Sequence, residues 1–170
     1  MKTFSFLTAL ALAVTTTCAY AADAAVERPD KSFITNAYED GLAEVKLGEM
    51  AQGKSGNADV KAFGGHMATD HGKASAELKA LADSKKVEVA TDVTMVAKGK
   101  AKLLDAKSGA DFDKAYAEAM VTDHKKAVKA FEKASNEAKD ADVKAFAAKT
   151  LPTLTSHLSM AEELQKKVGK

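Results

Sequence analysis

Hydrophobic residues recur along most of this chain at intervals of three or four positions, which is the spacing of one face of an α-helix. Four long segments carry this pattern, and charged residues fill the positions between the apolar ones. Alanine, lysine, glutamate and leucine are abundant and only two prolines occur, so the composition also favours helix. The pattern predicts an all-α domain over residues 31–168, an antiparallel four-helix bundle.

The boundaries of the first two helices are marked by residues typical of helix ends. The first helix is predicted from about Lys31 to Lys54, and the second from about Ala58 to Ser84 with Asn57 as its N-cap. The following segment, Lys85–Gly109, is long for a connection between adjacent helices. We expect this connector to cross the bundle and to carry a short helix within Asp92–Asp105.

The third helix is predicted to begin near Ser108 and the fourth at Asp140, both of which are favoured N-cap residues. Pro152 lies inside the fourth helix, where a missing N–H predicts a kink or a local break. On the inner face of the first helix, Gly41 and Gly48 occupy positions where apolar side chains would be expected. Their small size predicts a close approach between this helix and a neighbour.

The first 21 residues have the organisation of a secretory signal peptide. Lys2 supplies a positive charge, and Phe4–Val14 is an apolar run too short to span a bilayer. Ala19-Tyr20-Ala21 matches the small-x-small pattern of a signal peptidase site, so cleavage is expected after Ala21. The sequence therefore predicts a periplasmic or secreted protein with no membrane span after cleavage.

Cleavage would leave a short N-terminal segment, residues 22–30, ahead of the bundle. It would also remove Cys18, the only cysteine, so the mature chain could form no disulfide and use no thiolate. Loss of Lys2 leaves 24 basic and 24 acidic residues, with no basic block. The charge pattern gives no reason to expect a nucleic-acid partner, and the sequence identifies no protein partner.

Polar residues interrupt the apolar stripes at one height of the predicted bundle. Each lies near the middle of its helix, and the middles of antiparallel helices share a layer. We therefore expect one carboxylate and three imidazoles to meet there: Glu44, His71, His124 and His157. The fourth histidine, His66, lies about 140° around its helix from His71 and is expected at the surface.

This Glu/His layer predicts a metal site, because imidazole and carboxylate ligands suit zinc, copper or iron. Asp70 and Asp123 directly precede two of the histidines and could hydrogen-bond to a histidine of a neighbouring helix. A methionine also lies one turn from each histidine, which adds copper as an option or simply fills the core. The alternative is a hydrogen-bonded polar network without metal, in a structural or stress-response protein.

No catalytic motif accompanies this layer. The chain lacks a glycine-rich phosphate loop, and no serine has the context of a catalytic triad. The sequence therefore does not predict an enzyme, although a ferritin-like redox enzyme is a further alternative.

Six short motifs in order resemble one bacterial family, catalogued as domain of unknown function 4142 and described as exported and ferritin-like. They cover nearly all of the mature chain and comprise Gly41-x-x-Glu44-Val45-x-Leu47-Gly48, Val60-Lys61-x-Phe63, Met67-x-x-Asp70-His71, Phe112-Asp113-x-x-Tyr116, Met120-Val121-x-Asp123-His124 and Leu151-Pro152-x-Leu154-x-x-His157. The resemblance implies a ferritin-like four-helix bundle and no established activity.

A ferritin-like fold raises the question of a di-iron centre. Such centres use Glu-x-x-His on two helices and a glutamate on each of the other two. Here the residue three positions before each histidine is Ala68, Val121 or Leu154. The sequence therefore argues against a four-carboxylate di-iron site and leaves a mononuclear, histidine-rich site or none.

Overall fold

The computed structural model describes residues 26–169, which form five α-helices and no β-strand. The helices are α1 (Arg28–Lys54), α2 (Ala58–Ser84), α3 (Met95–Asp105), α4 (Gly109–Glu137) and α5 (Ala141–Val168). The prediction of an all-helical chain is confirmed over these residues. The predicted signal peptide with its cleavage site, and residues 22–25 of the short N-terminal segment, lie outside the described range.

Two of the predicted caps form as expected. Asn57 Oδ1 accepts hydrogen bonds from the backbone N–H groups of Asp59 and Val60 at the start of α2. Asp140 caps α5 in the same way, through the N–H groups of Asp142 and Val143. Each cap satisfies N–H groups that have no partner within the first turn, so both helices begin within one residue of the predicted position.

The start of α1 differs from the prediction. The helix begins at Arg28, three residues before the predicted start, so residues 28–30 belong to it rather than to a separate segment. Asp30 is not at a solvated helix end, because it is only 4% exposed. Its carboxylate accepts hydrogen bonds from the backbone N–H groups of Lys139 and Asp140, at 2.9 and 2.7 Å. Asp30 therefore joins the beginning of α1 to the turn between α4 and α5.

The four long helices pair in sequence order. Only residues 55–57 connect α1 to α2 and only residues 138–140 connect α4 to α5, and the two helices of each pair pack closely. Contacts of α2 with α5 and of α1 with α4 then join the two pairs. Such short connections favour an antiparallel arrangement within each pair.

Glycines allow α1 and α2 to approach each other closely, as the sequence predicted. A Cβ atom on Gly48 would lie 2.6 Å from the carbonyl oxygen of Gly64, and one on Gly64 would lie 2.7 Å from the carbonyl oxygen of Gly48. Since both obstacles are backbone atoms, neither position has room for a larger residue. Gly41 differs, because its Cβ would lie 2.5 Å from Ser75 Oγ, a side-chain atom that can rotate away.

The apolar core consists of two clusters rather than one. The first includes Phe63, Met67, Phe112, Tyr116 and Ala161, and the second includes Ile34, Leu78, Phe131, Val143 and Leu154. Along every long helix the change from one cluster to the other occurs around a buried polar residue: Glu44, His71, His124 or His157. The polar layer therefore lies between the two apolar clusters.

The connector carries the short helix α3, which begins at Met95, three residues after the start of the predicted segment. Thr94 caps it by accepting a hydrogen bond from the N–H of Ala97. Leu104 inserts into the first apolar cluster. Ion pairs fix the rest of α3 to the long helices: Lys100 with Asp123 of α4 at 3.1 Å, and Lys54 of α1 with Asp105 at 2.8 Å.

Helix α5 continues through Pro152, so the predicted local break does not occur. Proline removes the N–H that would bond to the carbonyl of Ala148. Both residues are exposed, so this carbonyl can be hydrated and the helix need not end.

Within residues 26–169, no helix has both the length and the apolar character needed to cross a membrane.

Candidate metal centre

Three helices bring His71, His124 and His157 together in the polar layer. His71 comes from α2, His124 from α4 and His157 from α5, and they are 9%, 1% and 2% exposed. Each is flanked on its own helix by buried apolar residues one turn away or more, which fixes the inward direction of the ring. His66 is exposed, as predicted, and is not part of this group.

The three imidazoles form a nearly equilateral triangle. Their ring centroids are 5.4, 5.4 and 5.5 Å apart. One nitrogen from each ring lies within 4.8 Å of the other two. The Nε2 atoms of His71 and His124 are 3.3 Å apart. Two nitrogens bound at 2.0–2.1 Å to a tetrahedral metal ion lie about 3.3–3.4 Å apart, so this pair already has the spacing of two ligands.

Hydrogen bonds to neighbouring groups determine which nitrogen of His124 and of His157 carries the lone pair. His124 Nδ1 lies 2.9 Å from the carbonyl oxygen of Met120, so it carries the proton and leaves a lone pair on Nε2. His157 Nε2 lies 3.1 Å from Asp70 Oδ2, so it donates and leaves a lone pair on Nδ1. That Nδ1 atom is buried and has no hydrogen-bond partner. Histidines that bind metals are commonly held by such bonds from the other ring nitrogen.

Burial keeps these rings neutral at physiological pH. Desolvation, together with the neighbouring imidazoles, lowers the pKa of His71 to about 3. Desolvation also lowers the pKa of His124 to about 4, although the bond to Met120 opposes it. The pKa of His157 is lowered by burial and raised in part by Asp70, and the net shift is downward. Neutral imidazole is the form that binds a metal ion.

Glu44 lies in the same layer but outside the group of nitrogens within 4.8 Å. It is 7% exposed, and its Oε2 atom is buried without a hydrogen-bond partner. Burial, with the nearby Asp123 and Asp40 carboxylates, raises the pKa of Glu44 to about 8. Glu44 is therefore mainly protonated at neutral pH. Its role as a metal ligand stays a prediction.

The two aspartates expected beside the histidines have different positions. Asp70 contacts His157 across the α2–α5 interface, which is the inter-helix arrangement proposed for it. Asp123 instead pairs with Lys100 at 3.1 Å and with Lys126 at 3.8 Å, and no histidine hydrogen-bonds to it. The difference follows from α3, which places the Lys100 ammonium group over the outer flank of α4.

The sequence analysis did not assign two other residues of this region, Tyr116 and Asp40, to the polar layer. Tyr116 is completely buried and its hydroxyl has no partner; its pKa is raised by burial and then by the proximity of Glu44. Asp40 lies one turn before Glu44 on α1, and this i, i+4 spacing was a signal that both carboxyl groups share a face. Met67 and Met120 pack in the first apolar cluster, as core residues do.

The family model for the domain of unknown function DUF4142 matches residues 15–164, so the chain belongs to this family. No curated protein matches the sequence. Two solved structures share its fold. A DUF305 fragment from Deinococcus radiodurans has a TM-score of 0.74 and 11% identity, over 84% of this chain and 98% of that one. CopM in the Cu(II)-bound form has a TM-score of 0.68 and 14% identity, over 81% of this chain and 96% of that one.

Proposed function

We propose that this protein binds one transition-metal ion through His71, His124 and His157. The observation that carries the proposal is the triangle of three buried, neutral imidazoles, each from a different helix, with one nitrogen of each within 4.8 Å of the others. Carbonic anhydrase holds its zinc with three histidines in this way. Such a site leaves a fourth coordination position for water or another ligand.

The hydrogen bonds support a metal site better than a purely polar core. In the apo protein His71 Nε2 must donate to His124 Nε2, because His124 carries its proton on Nδ1. This arrangement still leaves His157 Nδ1 buried and unsatisfied, which is unusual for a buried polar atom. A metal ion would bind that lone pair, while the His71 proton would move to the outer nitrogen. Within residues 26–169, no protein group offers a partner for His157 Nδ1.

Copper and zinc are the metals that fit the donors best, with iron as a weaker candidate. Three imidazoles without a carboxylate within the group favour late first-row metals. The affinity of such a site generally rises along the divalent first-row metals up to Cu²⁺ and is lower for Zn²⁺. CopM, which shares the fold, is described in its Cu(II)-bound form. We therefore expect Cu²⁺ to bind most tightly. The donor set does not support a di-iron redox centre, which needs several bridging carboxylates.

We further infer that the four long helices form an antiparallel, ferritin-like bundle and that the protein is exported. Contacts of α1 with α4 and of α2 with α5 support the bundle, with the histidines on helices that face a common interior. The apolar run Phe4–Val14 and Ala19-Tyr20-Ala21 support export and cleavage near Ala21. The metal site would then lie in the periplasm or outside the cell.

The metal proposal is tested by titrating the mature apo protein with Cu²⁺ and Zn²⁺ in a calorimeter. One ion should bind per chain. Each of His71→Ala, His124→Ala and His157→Ala should weaken binding by roughly a hundredfold or more, beyond the usual effect of losing an outer hydrogen bond to a ligand. His66→Ala is the matched control and should bind like the wild type, because His66 is exposed and outside the group.

Two outcomes would contradict the proposal. The first is the absence of stoichiometric binding by the wild-type protein. The second is binding that survives replacement of all three histidines, which would place the ion elsewhere. Circular dichroism of each variant would show that the helices persist, so that a loss of binding is not a loss of fold.

A further inference from the structure

A cavity of about 380 Å³ lies beside the three histidines, between the long helices and α3. His71 and His124 form part of its wall, whereas His157 does not. Much of the lining is apolar, with charged side chains contributed by α1, α3 and α4. The cavity therefore joins the otherwise buried imidazoles to the region beneath the short helix.

Three carboxyl groups line this cavity at different depths. Asp40 is an exposed residue, the Asp123 side chain is 21% exposed, and Glu44 is 7% exposed. Glu44 is the most buried of these groups, and its Oε2 atom has no hydrogen-bond partner, although burying a carboxyl group without one is costly. All three carboxyl groups share this cavity with His71 and His124. A cation that loses its bound water molecules in steps needs other oxygen donors to replace them, and carboxyl groups of increasing burial can do so.

We propose that this cavity is the route by which the metal ion reaches the three histidines, with Asp40, Asp123 and Glu44 binding it transiently on the way. Glu44, which is protonated before the ion arrives, releases its proton to solvent when it binds the ion. The proposal rests on the metal site proposed above and adds how that site is filled. The three carboxyl groups lie outside the group of close ligand atoms, so they suit transit rather than final coordination.

Helix α3 supplies a competitor for the incoming cation. The Lys100 ammonium group lies 3.1 Å from Asp123 Oδ1 and lines the cavity, and Lys126 approaches the same carboxylate at 3.8 Å. A third lysine on the wall, Lys46, is paired with Asp92. Among the described residues, Asp40 and Glu44 have no ion pair with a lysine. To bind Asp123, a metal ion would have to displace Lys100. Because Lys100 belongs to α3, the position of α3 determines how readily this exchange occurs.

Opposite charge changes should have opposite effects on the rate of metal uptake. Stopped-flow measurement of tyrosine fluorescence, which Cu²⁺ quenches, would follow binding to the mature apo protein. Asp40→Asn should slow uptake by about threefold at low salt, and Lys100→Gln should accelerate it by a similar factor. Both differences should shrink as salt screens the charges. The matched controls are Glu162→Gln and Lys125→Gln, an ion pair on α5 and α4 that does not line the cavity.

Filling the cavity tests the route without changing charge. Ala97 of α3 lines the cavity, and Ala97→Phe should place a ring within it. Uptake and release of Cu²⁺ should then slow in the same proportion, so that the equilibrium affinity stays within about threefold of the wild type. An effect on affinity alone would indicate damage to the histidine site and would contradict the route.

The outcomes separate the two proposals. If the wild-type protein binds one Cu²⁺ but the cavity variants take it up at the wild-type rate, the route is wrong and the histidine site stands. Equal effects from the control pair would also overturn the route, because they would show only a general influence of net charge. If the wild-type protein binds no metal, both proposals fail.

Discussion

His157 Nε2 on α5 donates a hydrogen bond to Asp70 Oδ2 on α2 over a distance of 3.1 Å. This bond crosses the interface between the two helical pairs and leaves the Nδ1 atom of His157 with a lone pair and without a hydrogen-bond partner. It couples the packing of two helices to the direction of one proposed metal ligand. Asp70 directly precedes His71, so a single turn of α2 contributes both a ligand and the support for another.

Replacing Asp70 should therefore weaken metal binding without removing a ligand. Asp70→Asn keeps the size of the side chain but removes its charge, and its amide can present either a donor or an acceptor to His157. We expect a loss of Cu²⁺ affinity of about 10-fold, within the range known for such supporting groups. Calorimetric titration of the variant beside the wild type would measure this loss.

Asp123→Asn is the matched control, since Asp123 also precedes a histidine but pairs with Lys100. Its equilibrium affinity should stay within about threefold of the wild type, because no hydrogen bond to a proposed ligand is lost. Equal losses in both variants would show that the His157–Asp70 bond has no special role.

The stability of the apo protein should be greatest near pH 6.5. The pKa values of His71 and His124 are lowered from 6.5 to about 3 and about 4, so their contribution is present above pH 6.5 and is lost as the pH falls. The pKa of Glu44 is raised from 4.5 to about 8, so its contribution is lost as the pH rises between these values. Of these three residues, only Glu44 changes the stability as the pH rises above 6.5.

Chemical denaturation of the apo protein between pH 4 and pH 9 would measure this dependence. The free energy of unfolding should fall by about 1 kcal/mol per pH unit between pH 6.5 and 8. Glu44→Gln keeps the shape of the protonated acid and cannot ionise, so it should remove this alkaline decline. An unchanged decline in the variant would contradict the assignment to Glu44.

The close approach of α1 and α2 predicts a strong effect of small substitutions. Gly48→Ala places a methyl group 2.6 Å from the carbonyl oxygen of Gly64, so the backbones must separate. We expect a loss of about 2–3 kcal/mol in the free energy of unfolding, in the range known for overpacked cores. Gly53→Ala, in the same helix with nothing within 4 Å, should instead stabilise the protein by roughly 0.5 kcal/mol. Thermal unfolding of the two variants would distinguish packing from helix propensity.

Asp30 predicts a long-range contribution to stability. Asp30→Ala would leave the backbone N–H groups of Lys139 and Asp140 without their acceptor, and should cost about 2 kcal/mol. Asp30→Asn retains an acceptor oxygen and should recover part of this loss. Urea denaturation would compare them, and equal losses in both variants would point to the charge rather than the hydrogen bonds.

Local signals in the sequence predicted much of this fold. The caps at Asn57 and Asp140 were recognisable because each depends on a side chain and N–H groups two or three residues away. The start of α1 was predicted three residues late, at Lys31, which left Asp30 outside the helix. Its actual partners are more than a hundred residues distant, and no local pattern indicates such a contact.

The candidate site was predicted only in part, because its finer geometry also depends on contacts between residues that are distant in the sequence. Helical spacing directed His71, His124 and His157 inward, and their mid-helix positions placed them at one height. Spacing could not tell that Glu44 lies outside the close group, or that Asp123 pairs with Lys100 whereas Asp70 contacts His157. These differences depend on the rotation of each helix about its axis and on the position of α3.

The sequence by itself determined that this chain is helical, where most of its helices begin and end, and which polar residues interrupt the apolar stripes. Those features depend on interactions within a few residues, so the order of amino acids is sufficient to indicate them. Tertiary structure alone decided the 3.3 Å spacing of His71 and His124, the unpartnered Nδ1 of His157 and the cavity beneath α3. Each arises where side chains of different helices meet, and their distances are set by packing across the whole domain.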